Sequence, residues 1–92
     1  MTTKEVMRTY RKALDTYGIE AQTRMVFEEM AELQKELCKK LRGADNVSAI
    51  AEEIADVLVT LDQMAIYYGI IDQIRENRIK KVERLRERME GK

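Results

Sequence analysis

Ile50-Ala51-Glu52-Glu53-Ile54-Ala55-Asp56-Val57-Leu58-Val59-Thr60-Leu61-Asp62-Gln63-Met64-Ala65-Ile66-Tyr67-Tyr68 holds neither proline nor glycine, and its apolar residues recur at helical spacing. Ile50, Ile54, Val57, Leu58, Val59, Leu61, Met64, Ala65, Ile66 and Tyr68 cover far more than a third of a helix circumference. A helix apolar on most sides must be covered on several sides. Three other helices of a 92-residue chain are few for that task, so the pattern predicts a partner subunit. The same helix carries an acidic word, Glu53 with Asp56, three residues apart and therefore on neighbouring turns of one face.

Glycines divide the rest of the chain. Gly18, Gly43 and Gly69 fall at nearly regular intervals, and each reads as a helix C-terminal stop. The spacing predicts helices over about 3–17, 20–42, 45–68 and 71–89. Thr2 or Thr3 caps the first, and Asp45 or Ser48 opens the third. Val6, Met7, Tyr10, Leu14 and Tyr17 face inward on the first helix. Ile71, Ile74, Val82, Leu85 and Met89 form the stripe of the fourth. The expectation is one all-α domain over 1–92, an antiparallel bundle of about four helices assembled as a dimer or a dimer of dimers.

The second helix carries its own acidic word, Glu29 with Glu32, inside Glu28-Glu29-Met30-Ala31-Glu32. Gln22, Glu29, Glu32 and Glu36 share a narrow arc at about 100° per residue. Glu53 and Asp56 share theirs with Thr60, and with Gln63 at its edge. Both arcs flank an apolar stripe, which places the acids at the border of the core. Glu28 and Glu52 point about 100° away from the paired carboxylates. One pair of acids in a chain that is 37% charged says little. Two pairs on consecutive antiparallel helices are more specific. If they face each other, four carboxylates surround one volume, and repulsion is relieved by a hard cation such as Mg²⁺ or Mn²⁺.

Composition removes several other chemistries. The chain has one cysteine, Cys38, and no histidine. A disulfide within the chain, a Cys/His zinc site, Ser-His-Asp and Cys-His arrangements, and the Glu-x-x-His words of di-iron bundles are all excluded. No apolar run approaches 18 residues and no leader pattern opens the chain, which reads as cytoplasmic and not membrane-bound. Net charge is zero but unevenly spread. Residues 28–72 hold ten acidic and four basic side chains, and residues 73–92 hold eight basic and four acidic. The asymmetry suits an acidic metal centre beside a basic phosphate-holding tail, and equally suits solvated helix faces.

In that tail Asn77, Lys81, Arg84 and Arg88 form one polar row, spaced four, three and four apart. Such a row suits the phosphates of a triphosphate, guanidinium groups being bidentate partners. An exposed face pairing with Glu83 and Glu87 is the alternative. Zero net charge and few aromatics argue against a nucleic-acid partner. A helical interaction module without catalysis is the stronger competitor, since the fourth helix is nearly heptad-like.

The words Glu29-Met30-Ala31-Glu32 and Glu53-Ile54-Ala55-Asp56, with the lead-in Tyr17-Gly18-Ile19-Glu20-Ala21-Gln22 and the tail from Lys81 to Arg88, resemble the MazG-type all-α nucleoside triphosphate pyrophosphohydrolases. The resemblance spans most of the chain and is strongest at the paired acidic words. It implies a helical dimer or dimer of dimers that binds Mg²⁺ through Glu29, Glu32, Glu53 and Asp56. It also implies cleavage of a (d)NTP between the α- and β-phosphates, giving the monophosphate and pyrophosphate. Glu29 or Glu32 is then the acceptor of the attacking water's proton, and the sequence does not separate ligand from base. The base pocket falls to Gln22, Met25, Gln63, Tyr67 and partner-subunit residues, and the preferred base is unreadable.

Overall fold

The computed structural model describes residues 1–91; Lys92, the last residue of the expected domain, lies outside the described residues. Four helices follow one another: α1 (Thr3–Tyr17), α2 (Ile19–Leu41), α3 (Val47–Tyr68) and α4 (Ile71–Glu90). The described residues contain no strand. All-α architecture with four helices is therefore what the periodicity predicted, with boundaries within about two residues of the expected ones.

Local chemistry explains the ends. Thr2 caps α1 in a reciprocal box, its hydroxyl accepting from the Glu5 N–H at 3.1 Å while the Glu5 carboxylate accepts from the Thr2 N–H at 3.4 Å. Two donors that a helix start leaves unpaired are thereby satisfied. At the far end of α3 the backbone turns into the left-handed region at Gly69, φ +65°. The Ile70 N–H then reaches back to the Ala65 carbonyl at 3.1 Å. A side chain at that φ is strained, which is why glycine stops the helix there. The same six-residue closure ends α2, where the Ala44 N–H donates to the Lys39 carbonyl at 3.1 Å.

α2 and α3 form the central antiparallel hairpin, α1 lies against both, and α4 approaches only α3. The seam between α2 and α3 is partly polar. Gln22 Nε2 donates to Gln63 Oε1 at 2.6 Å, and Thr60 returns its hydroxyl to the Val57 carbonyl at 2.7 Å. From α1, the Tyr10 hydroxyl donates to the Asp62 carboxylate at 3.1 Å.

Buried apolar residues among those described reduce to Val26, Val57 and Ala65. Much of the apolar α3 surface is open within the single chain: Ile54, Leu58, Val59 and Leu61 are all exposed, Leu58 by 52%. Every residue of the α4 stripe is exposed too, and so is Tyr17 on α1. Two global quantities agree. The radius of gyration is 16.2 Å, whereas a compact chain of this length has about 12 Å. The accessible surface is 7498 Å², about 2,000 Å² more than a compact monomer of this mass exposes. No helix among the described residues is long and apolar enough to cross a membrane.

Candidate metal centre

Antiparallel pairing of α2 with α3 brings residues of both helices to common heights. One such level holds Glu29 and Glu53, and Asp56 joins them one turn further along α3. One carboxylate oxygen from each of Glu29, Glu53 and Asp56 lies within 4.8 Å of the other two. Glu32, the fourth expected member, is exposed and stands outside that group, although its charge is felt at both Glu29 and Glu53.

The group is electrostatically uncomfortable. Glu29 is pushed above its ordinary range, first by desolvation, then by the Asp56 charge and a hydrogen bond shared with Asp56, then by Glu28 and Glu32. Glu53 is also pushed up, first by desolvation and then by the charges of Asp56, Glu29, Glu32 and Glu36. Like charges held together disfavour ionisation, and burial adds to the effect. Glu53 Oε2 is buried without a hydrogen-bond partner, an orphaned acceptor of the kind that calls for a donor or a cation. Oxygen-only donors, three of them convergent and one unpartnered, fit Mg²⁺ or Mn²⁺.

Glu36, on the same arc of α2, behaves in the opposite way. Its carboxyl is held below the ordinary range, first by the hydrogen bond from Asn46 and then by that from Lys39. Asn46 Nδ2 lies 2.9 Å from Glu36 Oε1 and 2.9 Å from the Glu36 carbonyl oxygen, and Lys39 Nζ lies 3.1 Å from Oε2. Sequence reading put Glu36 on the right arc but gave it no partner. Asn46 sits just before α3 on the far side of a short turn, and from there its amide reaches back to α2.

Gln22 stands two turns from Glu29 on α2 and is tied to the buried Gln63. Beside it, Tyr17, Ala21, Gln22 and Met25 line a hollow of about 360 Å³. Gln22 and Met25, two of the residues expected to form a base pocket, thus share one cavity wall, while Tyr67 on α3 is exposed and packs edge-on against Tyr68. Asn77, Lys81 and Arg84 are exposed on α4. Since α4 approaches only α3, they are not gathered with the acids of α2 within one chain.

No protein family, no characterised protein and no solved structure matches this chain. The resemblance to MazG-type enzymes therefore rests on the sequence alone: the acidic words, the lead-in over 17–22 and the tail over 81–88.

Proposed function

We propose that the chain is a Mg²⁺-dependent nucleotide pyrophosphohydrolase, cleaving a (d)NTP to the monophosphate and pyrophosphate, and that it acts as a homo-oligomer. The observation that carries this reading is the convergence of Glu29, Glu53 and Asp56 from two helices onto one volume. Glu29, Glu53 and Asp56 would hold the cation, Mn²⁺ being an alternative, with Glu32 completing the set by a change of rotamer. A bound divalent ion neutralises phosphate charge and lowers the pKa of a water. Of the acids, exposed Glu32 is the freest to accept a proton from an attacking water, and Glu29 is the other candidate. Gln22 and the hollow beside it offer an amide and an apolar wall to a base. Asn77, Lys81 and Arg84 offer donors to phosphate oxygens.

Self-association is part of the same proposal. About 2,000 Å² of surplus surface per chain, about 4,000 Å² for a pair, falls in the range of total area that obligate dimers bury, and the open faces of α3 and α4 carry apolar stripes. The occupant that fits is a second copy, whose own α3 and α4 carry the same unmet faces. A partner's α4 would also bring cations to an acidic cluster that lacks them within the chain.

The deciding experiment incubates pure protein with each common NTP and dNTP plus Mg²⁺ and resolves pyrophosphate from orthophosphate. Monophosphate and pyrophosphate are expected. Orthophosphate with diphosphate would make the mechanism wrong. No turnover and no metal binding across the panel would leave a non-catalytic helical interaction protein, the reading that the exposed apolar faces also support.

A further inference from the structure

Asn46 occupies the N-cap position of α3, where asparagine ordinarily accepts a hydrogen bond from its own helix. Here it makes no such bond. Its amide instead reaches ten residues back to α2, and Nδ2 donates to both the Glu36 carbonyl and the Glu36 carboxylate, each at 2.9 Å. The orientation of the amide is fixed by that pair, because the flipped form would set its oxygen against two acceptors. The Glu36 side chain is only 14% exposed, and its second oxygen is taken by Lys39. Between them Asn46 and Lys39 supply donors to both carboxylate oxygens of a nearly buried acid.

The placement of this clasp is informative. Glu29 lies seven residues before Glu36 on α2, and Glu53 lies seven residues after Asn46 on α3. In an antiparallel pair both steps run in the same direction for two turns, about 10.5 Å. The Glu36–Asn46 contact and the approach of Glu53 to Glu29 therefore belong to one register. Slipping α3 by a single residue would rotate Glu53 and Asp56 by about 100° away from Glu29.

We propose that Asn46 is a positioning residue: by clasping Glu36 across the α2–α3 turn it sets the register in which Glu53 and Asp56 meet Glu29. The inference rests on the metal-centre reading for its functional consequence, and on the clasp geometry alone for its structural one. Neither Asn46 nor Glu36 belongs to the convergent group of three carboxylates.

The test uses the full chain, Mn²⁺ as the probe and electron paramagnetic resonance to count bound ion. Asn46→Asp removes the donor and faces Glu36 with a second carboxylate. Adding Glu36→Gln restores the side-chain bond with reversed polarity at unchanged total charge, while the bond to the backbone carbonyl of residue 36 stays lost. The parent is expected to bind Mn²⁺, Asn46→Asp to bind at least about tenfold more weakly, as losses in supporting shells typically do, and the double variant to bind more tightly than Asn46→Asp. Equal binding by parent and Asn46→Asp overturns the proposal, as does a loss that the double variant does not even partly recover. Asn46→Ser, uncharged and too short to reach Glu36, carries the same expectation of weakened binding if Asn46→Asp does not fold. Hydrogen exchange of the amides over 47–56 is measured on the same samples. If the parent binds no Mn²⁺, the metal reading fails but the clasp is still judged: exchange must quicken in Asn46→Asp and slow again in the double variant. Unchanged exchange overturns it.

Discussion

Asp56 shows how a single carboxylate can burden its neighbours. Asp56 raises the carboxyls of both Glu29 and Glu53. Asp56→Asn removes that charge with little change of shape. The metal-free variant is expected to melt no lower than the metal-free parent, yet to lose most of the Mg²⁺-induced rise in Tm and nearly all turnover. Paired thermal melts with and without Mg²⁺ check this, and a full Mg²⁺ response in the variant would refute the metal site. The pH dependence has a definite sign. Glu29 and Glu53 have folded values above the ordinary 4.5, so the unfolded chain gives up these protons first and stability falls as pH rises from about 4.5. Glu36 lies below 4.5, and its contribution is present above that value and lost as pH falls beneath it. Glu53→Gln should therefore flatten the decline above pH 4.5 in metal-free melts and leave the acid limb in place. A parent and variant with parallel curves above that pH would show that the cluster stores no repulsion.

At the scale of helices, α2 and α3 bring three carboxylates together, and α4 approaches only α3. Lys81→Ala on α4 is expected to raise KM or lower kcat/KM with Mg²⁺ binding nearly unchanged, a loss of about 1.5–3 kcal/mol for a charged hydrogen bond to phosphate. Steady-state kinetics beside a Mn²⁺ titration measures both, and an unaltered rate would leave the α4 cations as a solvated face. The start of α1 supplies a control on the fold. Thr2→Ala removes the cap that holds the Glu5 N–H and should cost about 1 kcal/mol in denaturant unfolding, with no effect on metal affinity.

For the whole molecule, the surplus surface and large radius of gyration describe a chain whose faces are unmet. Light scattering at micromolar concentration should report at least twice the 10.8 kDa chain mass. Leu58→Glu, at an exposed apolar position of α3, should shift the population toward monomer. A clean monomer for the parent would defeat the assembly and take with it any role for a partner's cations.

The four helices were legible in the chain because their signals are local: a 3.6-residue apolar period, glycine stops at Gly18, Gly43 and Gly69, and a Thr2–Glu5 box all act within a few residues. Glu29, Glu53 and Asp56 were legible for the same reason, each three or four residues from others on one face. Which of them meet is not a local property. It depends on the height and rotation of α2 against α3, which are expressed in contacts across the seam such as Asn46–Glu36 and Gln22–Gln63 that no periodicity reveals. Tertiary structure likewise decided that Glu32 stays exposed while Glu53 is partly covered, because exposure is fixed by the neighbouring helix. It also decided that α4, apolar in pattern, covers little of α3 within its own chain. A stripe in sequence says that a helix needs a partner, and only the packing of the chain shows whether that partner is already present.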